Sequence, residues 1–381
     1  MTAASSCPHP AFSADDLGCM HHALRLAEGA LYRTSPNPRV GCVIVNHGHV
    51  LGEGATEAAG LRHAEIVALD DARDRGHAVR GATVYVTLEP CAHFGRTPPC
   101  ADALVAAGVA RVVAAVRDPN PKVDGGGLAR LAAAGIRTEC GLLENAAREL
   151  NLGFFSRFER GRPWVRLKAA ASLDGITALP NGQSQWITGP AARADGHHWR
   201  ARACAVLTGI GTVRDDDPQL TVRHVATPRQ PVRVVVDSRL ELPPTARLLQ
   251  VEPHKVWIAH ALPLEQAESR ARVLRELGAQ IIAMPVDAAK PGKTDLHALL
   301  RELAAREIGE LHVEAGARLN ASLLNAGLVD ELLLYLAPRL LGQGAGIAPF
   351  GPLQAVADGL RLHGLHIEPV GEDWRVRARL G

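Results

Sequence analysis

Two cysteines nine positions apart, Cys91 and Cys100, stand in the stretch TLEPCAHFGRTPPC, each preceded by proline. Such a pair can hold a metal, close a disulfide or brace a turn, and its company decides between them. Upstream lies RHAEIVAL, with His63 two positions before Glu65 and 25 residues between Glu65 and Cys91. Zinc accepts Cys sulfur and His nitrogen, and a catalytic zinc keeps three protein ligands and one open position for water. His63, Cys91 and Cys100 make up that set. A structural zinc is normally closed by a fourth ligand, which would have to be His93 or a more distant residue, and Glu65 would then have no task. The set in this order points to a catalytic metal, with Glu65 as proton carrier.

The spacing makes demands on the elements that carry these residues. Two residues apart on a regular helix lie about 200° apart, so His63 and Glu65 converge only if His63 sits at the helix entry, with dihedrals not yet helical. Gly60 and Arg62 before it and the apolar run HAEIVALDDAR (63–73) fit that entry. Cys100, after Pro98 and Pro99, falls in the first turn of a helix running from about Pro99 to Ala107. Partial positive charge at a helix start favours thiolate over thiol.

Around these two helix starts, Ser13-Ala14-Asp15-Asp16 reads as a capping box opening a helix over 13–30. SPNPR (35–39) ends it, and VGCVIV (40–45) with HGHV reads as a strand and hairpin turn. Strands ATVYVTL (82–88) and VARVVAAV (109–116) follow, then DPNPKVDGGG (118–127) and the helix LARLAAAG. This order predicts a layered α/β sandwich over roughly residues 1–145. LLENAARELN (142–151) reads as an exit helix and RGRP (160–163) as the end of a linker. A second alternation begins at Trp164, with strands at 164–171, 204–208, 232–236, 255–259 and 310–314 and helices at about 190–202, 264–277, 295–305 and 317–326. Strands cluster again at 331–337 and 365–380.

The whole chain sets the bounds. Its 381 residues, 47% of them hydrophobic and 22% charged, suit two ordinary domains. A net charge of +2 without a long basic run argues against a nucleic-acid partner. The N-terminal MTAASSCPHPAFSADD lacks a basic region followed by an apolar core, and no apolar run approaches the ~20 residues that span a bilayer. The expectation is a cytoplasmic protein with no membrane partner, where thiols stay reduced. Seven cysteines, an odd number, also disfavour a disulfide framework.

H-x-E followed by P-C…C is close to the zinc deaminase signature, but eight residues separate the cysteines where the common form has two. The insertion brings His93 and Arg96 beside the metal, and an arginine suits a sugar or phosphate better than a bare base. With SPNPRVGCVIV, VRDPNPKVDGGG, LKAAASLDGITA, SQWITG, TGIGTVRDDDPQLTVR, VEAGARLNASLL and GLVDELLLYLAPRLLG, nearly the whole chain after Ala14 resembles the bifunctional deaminase/reductases of riboflavin biosynthesis. Ser35 stands where that family usually has His.

The resemblance implies a cytidine-deaminase-like αβα sandwich over 1–146, a linker over 147–162 and a dihydrofolate-reductase-like α/β domain over 163–381. It implies one zinc on His63, Cys91 and Cys100, Glu65 as proton carrier, and pyrimidine and ribose contacts at Asn37, His93 and Arg96. The second half lacks G-x-G-x-x-G, and Gly209-Ile210-Gly211 alone reads as a simple turn. The resemblance nonetheless implies NADPH on Ala170, Trp186, Thr212, Asp216, Ser238 and the stretch Gly316, Ala317, Arg318, Leu319, Asn320, Ala321 and Ser322. Strands ending at Gly209 and Glu314 would present loops to the dinucleotide. It implies substrate contacts at Ser184, Arg200, Leu220, Arg223 and Glu314, and a reaction centre with Lys168, Asp216 and Glu314. Arg200 and Arg223 suit a ribose phosphate, because guanidinium binds phosphate through two parallel hydrogen bonds. Asp174, in SLDG, reads equally well as a turn residue.

The implied substrates are small phosphoribosylaminopyrimidines, deaminated first and then reduced from ribosyl to ribityl. The sequence neither requires nor excludes a homo-oligomer. A nucleoside or RNA-base deaminase with a C-terminal binding module is disfavoured by the balanced charge, Arg96 and the second-half motifs. A zinc-stabilised scaffold without activity is disfavoured by intact Glu65, Lys168, Asp216 and Glu314.

Overall fold

The computed structural model describes residues 12–92, 98–121 and 123–381. The chain divides into two compact units between Arg160 and Gly161.

In the first unit, α1 (Ala14–Glu28) is followed by the hairpin β1 (Gly41–Asn46) and β2 (His49–Ala55), α2 (Ala64–Asp74), β3 (Thr83–Val86) and α3 (Cys100–Ala107). Then come β4 (Arg111–Ala114), α4 (Gly126–Ala133), β5 (Arg137–Cys140), α5 (Glu144–Leu150) and α6 (Leu152–Arg160). The sheet order is β2-β1-β3-β4-β5, antiparallel up to β3 and parallel beyond it. Helices cover both faces, α1 with α5 on one and α2, α3 and α4 on the other. The hairpin turn places His47 and Gly48 at φ 49° and 79°, left-handed conformations suited to a two-residue turn.

The capping box at the start of α1 reaches far beyond the helix. Asp16 accepts from the Ser13 amide at 2.9 Å while the Ser13 hydroxyl accepts from the Asp16 amide at 3.1 Å. The same carboxylate accepts the Tyr85 hydroxyl and an Arg111 N–H, both at 2.6 Å. It thus ties α1 to β3 and β4. Burial raises its pKa, but the bonds from Arg111 and Tyr85 win and hold it far below the ordinary carboxylate range.

The predicted linker over 147–162 is helical instead. α6 buries Phe155 in the first unit's core, with Phe154 packed against that core. Its aromatics are spaced for a helix face, which the flanking charges conceal. β5, with the sequence RTEC, was also not foreseen: it is a short edge strand with little alternation.

The second unit begins with β6 (Trp164–Ser172), β7 (Ile176–Ala178), α7 (Pro190–Arg202), β8 (Ala205–Gly209), α8 (Ile210–Asp216) and β9 (Val232–Val236). It continues through β10 (Val256–His260), α9 (Leu264–Glu276), β11 (Gln280–Ala283), α10 (Leu296–Ala305), β12 (Glu310–Val313) and α11 (Ala317–Asn325). It closes with β13 (Glu331–Ala337), β14 (Ala345–Gly346), β15 (Leu362–Val370) and β16 (Asp373–Leu380). The main sheet runs β11-β10-β9-β8-β12-β6-β13-β16-β15, with seven parallel strands from β11 to β13. β16 is antiparallel to both its neighbours. Alternate residues face opposite layers: Val234, Trp257 and Ala259 pack with Leu299 and Leu303 of α10, whereas Val235 and Ile258 pack with Ala271 and Leu274 of α9.

After β6 the chain moves outward from β8 to β11 and then returns to insert β12 between β8 and β6. Ligands bind outside the carboxyl ends of parallel strands where the order reverses, which here means β8 and β12. The stretch after Gly209 is a helix, α8, and not the expected loop.

Replacing Asp16 with Ala removes one of the two carboxylates that the half-buried Arg111 meets among the described residues, leaving Glu139, and takes the acceptor from the Tyr85 hydroxyl. Losing these charge-assisted bonds should cost about 1.5–3 kcal/mol, read as a lower denaturation midpoint of the first unit.

Candidate active sites in the two units

His63 is the residue preceding α2, with φ −78° and ψ 163°, and Glu65 lies in the first turn. The extended dihedrals let the imidazole and the carboxylate leave the same helix start together. Cys100 opens α3, and Cys91 lies on the chain that leaves β3. One ligand atom each from His63, Cys91 and Cys100 lies within 4.8 Å of the others, the only such group among the described residues. His63 Nδ1 is 3.4 Å from Cys100 Sγ and 3.7 Å from Cys91 Sγ, and the Cys100 amide donates to Cys91 Sγ at 3.3 Å. Neither cysteine is in a disulfide.

The electrostatics suit a cation. The hydrogen bond from Cys100 holds the Cys91 sulfur well below the thiol range and pushes Cys100 up. Glu65 is only 4% exposed, and burial, with the Cys91 thiolate adding, raises its carboxyl to about 7. It therefore exchanges protons near neutrality. Cys42 of β1 stands close enough for the Glu65 charge to add to the upward push of its burial. Asn37 lies in the turn leading into β1, its amide donating to Thr34 O at 2.8 Å. His93 and Arg96 lie outside the described residues.

Glu89 belongs to none of the expected ligand or substrate positions. Its carboxylate, 3% exposed, accepts four backbone amides at 3.0–3.2 Å: Gly127 and Leu128 on one oxygen, Asp118 and Gly125 on the other. It thereby fixes the start of α4 against the chain that carries Cys91. The approach is so close that a Cβ on Gly127 would sit 1.8 Å from the Pro90 carbonyl oxygen. The signal was present in E-P-C and D-G-G-G, but no periodicity links the two.

In the second unit, Lys168 of β6 and Glu314, just past β12, come together with Arg200 of α7. Arg200 clamps Glu314 with two bonds of 2.7 and 2.8 Å and gives a third of 2.5 Å to Thr221 O. Burial raises the Glu314 pKa, but Arg200 overrides it and holds the group ionised well below the carboxylate range. Lys168 has no carboxylate partner in ion-pair contact among the described residues. Its Nζ lies 5.8 Å from the Tyr335 ring centroid, and burial lowers its pKa. His312, two residues before Glu314 and on the same strand face, is fully buried 3.5 Å from Glu314 Oε1. Burial pulls its pKa down to about 3, so it is neutral. The alternation in H-V-E carried that placement.

Among the described residues, the Arg223 guanidinium bonds only to the Thr221 hydroxyl, at 3.3 Å. Burial and the nearby Arg200 lower its pKa. His197, whose Nδ1 accepts the Arg223 amide at 3.2 Å, is pushed to about 3 by burial and by Arg200 and Arg223. The locale is electropositive. Leu220, 4% exposed, holds φ 55° beside these residues, an outlier of the kind that clusters at binding sites. Ser184 and Trp186 lie in the segment before α7, and Arg193 stacks 4.6 Å over the Trp186 ring.

The residues expected to hold a dinucleotide lie mostly along the reversal point. The Thr212 hydroxyl accepts the Gly316 amide at 3.1 Å, joining the starts of α8 and α11. α11 begins without a side-chain cap, and the Ala317 and Arg318 amides have no acceptor among the described residues. The stretch from Gly316 to Ser322, with Leu319, Asn320 and Ala321, is thus N-cap and helix. Ala170 pairs with Tyr335 across the sheet, and Ser238 bonds Thr294 at 3.0 Å. Burial and Asp215 raise the Asp216 pKa; its hydrogen-bond partner is Gln185, and neither Lys168 nor Glu314 acts on it. Asp174 clasps a loop, accepting the Gly342 amide at 2.7 Å and the Leu341 amide at 3.1 Å.

Comparison with known proteins agrees with this division. The family "Cytidine and deoxycytidylate deaminase zinc-binding region" matches residues 13–116, and "RibD C-terminal domain" matches 163–376. The chain is 46% identical to riboflavin biosynthesis protein RibD of Escherichia coli, over 93% of this chain and 96% of that one. Acinetobacter baumannii RibD superposes with TM-score 0.87 at 44% identity, covering 96% of this chain and 99% of that one. A diaminohydroxyphosphoribosylaminopyrimidine deaminase/5-amino-6-(5-phosphoribosylamino)uracil reductase from Thermotoga maritima superposes with TM-score 0.83 at 31% identity, with the same coverages. No helix among the described residues is long and apolar enough to cross a membrane.

Removing the Glu89 carboxylate in Glu89→Ala leaves four amides without their acceptor. Each such group costs about 1–3 kcal/mol, so the first unit should unfold at markedly lower denaturant and its metal content should fall.

Proposed function

The chain belongs to the RibD family of bifunctional deaminase/reductases of riboflavin biosynthesis, and on that premise we propose which residues perform each step. The first unit deaminates the diaminohydroxy-phosphoribosylaminopyrimidine. The second reduces the ribosyl group of the resulting phosphoribosylamino-uracil with NADPH. One observation carries the first assignment: two cysteine sulfurs and one imidazole nitrogen within 4.8 Å of one another, beside a buried carboxylic acid raised to about 7.

The donor set fits zinc, with His63, Cys91 and Cys100 as ligands and one position left open. Zinc supplies there a bound water whose pKa falls from 15.7 to about 7. As hydroxide adds to the ring carbon bearing the 2-amino group, Glu65 would accept the first water proton at a carboxylate oxygen and pass it to the pyrimidine ring nitrogen. It would then take the second proton from the added hydroxyl and give it to the amino group, which leaves as ammonia. Asn37, His93 and Arg96 hold the pyrimidine and its ribose.

The second unit fits a dinucleotide because the start of α11 offers unclaimed amides to a phosphate at the place where strand order reverses. Thr212, bonded to the Gly316 amide, stands beside those amides, and the family resemblance adds Ala170, Trp186, Asp216 and Ser238 as further contacts. NADPH supplies the hydride to the opened ribose. Lys168 is the group with a proton to give: Arg200 keeps Glu314 ionised, Asp216 is bonded to Gln185, and burial loosens the Lys168 proton. Glu314 then takes the substrate's hydroxyl hydrogens, while Arg223 meets the phosphate beside Ser184 and Leu220. Arg200, expected on the phosphate, is committed to Glu314 in this structure.

Two variants separate the steps. Purified wild type should carry one zinc per chain, and Glu65→Gln should keep it while releasing no ammonia from the diamino substrate; normal ammonia release would remove Glu65 from the mechanism. Arg223→Ala should raise the Michaelis constant of reduction roughly 10- to 150-fold, the worth of one charge-assisted hydrogen bond, and leave deamination intact. NADPH oxidation on the deaminated substrate, run beside ammonia release, gives the comparison.

A further inference from the structure

Residues 217–231, which carry Leu220 and Arg223 from α8 to β9, belong to no helix or strand. Buried backbone without such partners needs others, and Thr221 and Val222 are only 5% and 6% exposed. Side chains supply them, a different one for each of three successive residues. Arg200, bound to Glu314 through two of its nitrogens, gives its third hydrogen bond to Thr221 O at 2.5 Å. The Gln230 carboxamide accepts the Val222 amide at 2.7 Å and donates to Val222 O at 3.1 Å. His197 accepts the Arg223 amide at 3.2 Å, and its ring meets that of His224 in a T, 4.7 Å between centroids.

Gln230 thus does for Val222 what a neighbouring strand would do, meeting both polar groups of one residue with a donor and an acceptor. It is itself firmly based. The guanidinium of Arg229 before it donates to Ala203 O at 2.9 Å and to Ala201 O at 3.1 Å, at the end of α7. Two positions after it, the Val232 amide bonds Cys204 O at 3.0 Å. Arg223, by contrast, is exposed and has one weak bond of its own, to the Thr221 hydroxyl at 3.3 Å. Where its guanidinium points is therefore decided by the backbone beneath it.

We propose that Gln230 and His197 are positioning residues of the reduction: by fixing Val222 and Arg223 they aim the Arg223 guanidinium at the substrate phosphate. Arg200 joins the same segment to Glu314, so the phosphate end and the reaction centre are held at one spacing. Gln230 and His197 act through Arg223 alone. The inference rests on the reading of Arg223 as a ligand of that phosphate.

Gln230→Met keeps the side-chain length and removes both of its hydrogen bonds, and His197→Leu removes the acceptor of the Arg223 amide. Each is made in the full-length protein, and the two sit on different segments, so either tests the proposal if the other lowers the denaturation midpoint. Each should raise the Michaelis constant for 5-amino-6-(5-phosphoribosylamino)uracil about tenfold, with kcat and the calorimetric Kd of NADPH unchanged. In an Arg223→Ala background each should add nothing, because residues that act through one another are not additive. A loss that adds to that of Arg223→Ala, a fall in kcat or NADPH binding to match, or no loss at all would each overturn the proposal. An Arg223→Ala protein whose Michaelis constant equals that of wild type overturns the parent reading instead, and is seen without either new variant.

Discussion

The four amides gathered by Glu89 are the fixed point of the deaminating unit. A carboxylate buried to 3% exposure is tolerable only when its oxygens are filled, and these are filled by backbone alone. Because the donors come from the start of α4 and the turn before it, the loop after β4 cannot move without the segment carrying Cys91. Gly127 is the complement of that arrangement, since any larger residue would strike the Pro90 carbonyl. The Cys91 sulfur is thus positioned from behind, by groups outside the cluster of His63, Cys91 and Cys100. His63 and Cys100 are positioned differently, each by the point at which a helix begins.

The reducing unit solves the same problem with charge. Glu314 could neutralise either Lys168 or Arg200, and the bidentate geometry of the guanidinium settles the contest. The carboxylate is committed, and the ammonium is left unpaired in a partly desolvated place. His312 adds no charge there, because burial keeps it neutral. Among the described residues, one cation of the three-residue group is thereby left without a carboxylate in ion-pair contact.

Much of this was legible in the sequence because it was local. The capping box at Ser13 and Asp16, the hairpin at His47 and Gly48 and the helix entry at His63 depend on residues within a few positions of each other. Family resemblance carried the rest of the candidate site, including Arg200 and Leu220, which no spacing rule selects. What escaped was non-local or weakly patterned. Glu89 meets partners up to 39 positions away, and Arg200 meets Glu314 at a separation of 114. β5 and β11 are short runs, RTEC and QIIA, with little alternation. α6 was taken for linker because its arginines and glutamate hid Phe154 and Phe155.

The insertion of β12 between β8 and β6 also has a temporal side. β6 and β8 are not neighbours in the sheet; β12, which begins at Glu310, joins them. During synthesis the first strand of this unit leaves the ribosome long before the strand that joins it to the rest, and non-local pairing of this kind is slow. The half-sheet from β8 to β11 has contacts to build on meanwhile, whereas β6, with Lys168, has none in the main sheet until β12 and β13 arrive. Closure of the sheet and the meeting of Lys168 with Glu314 are therefore one event, and a chain released early would have neither.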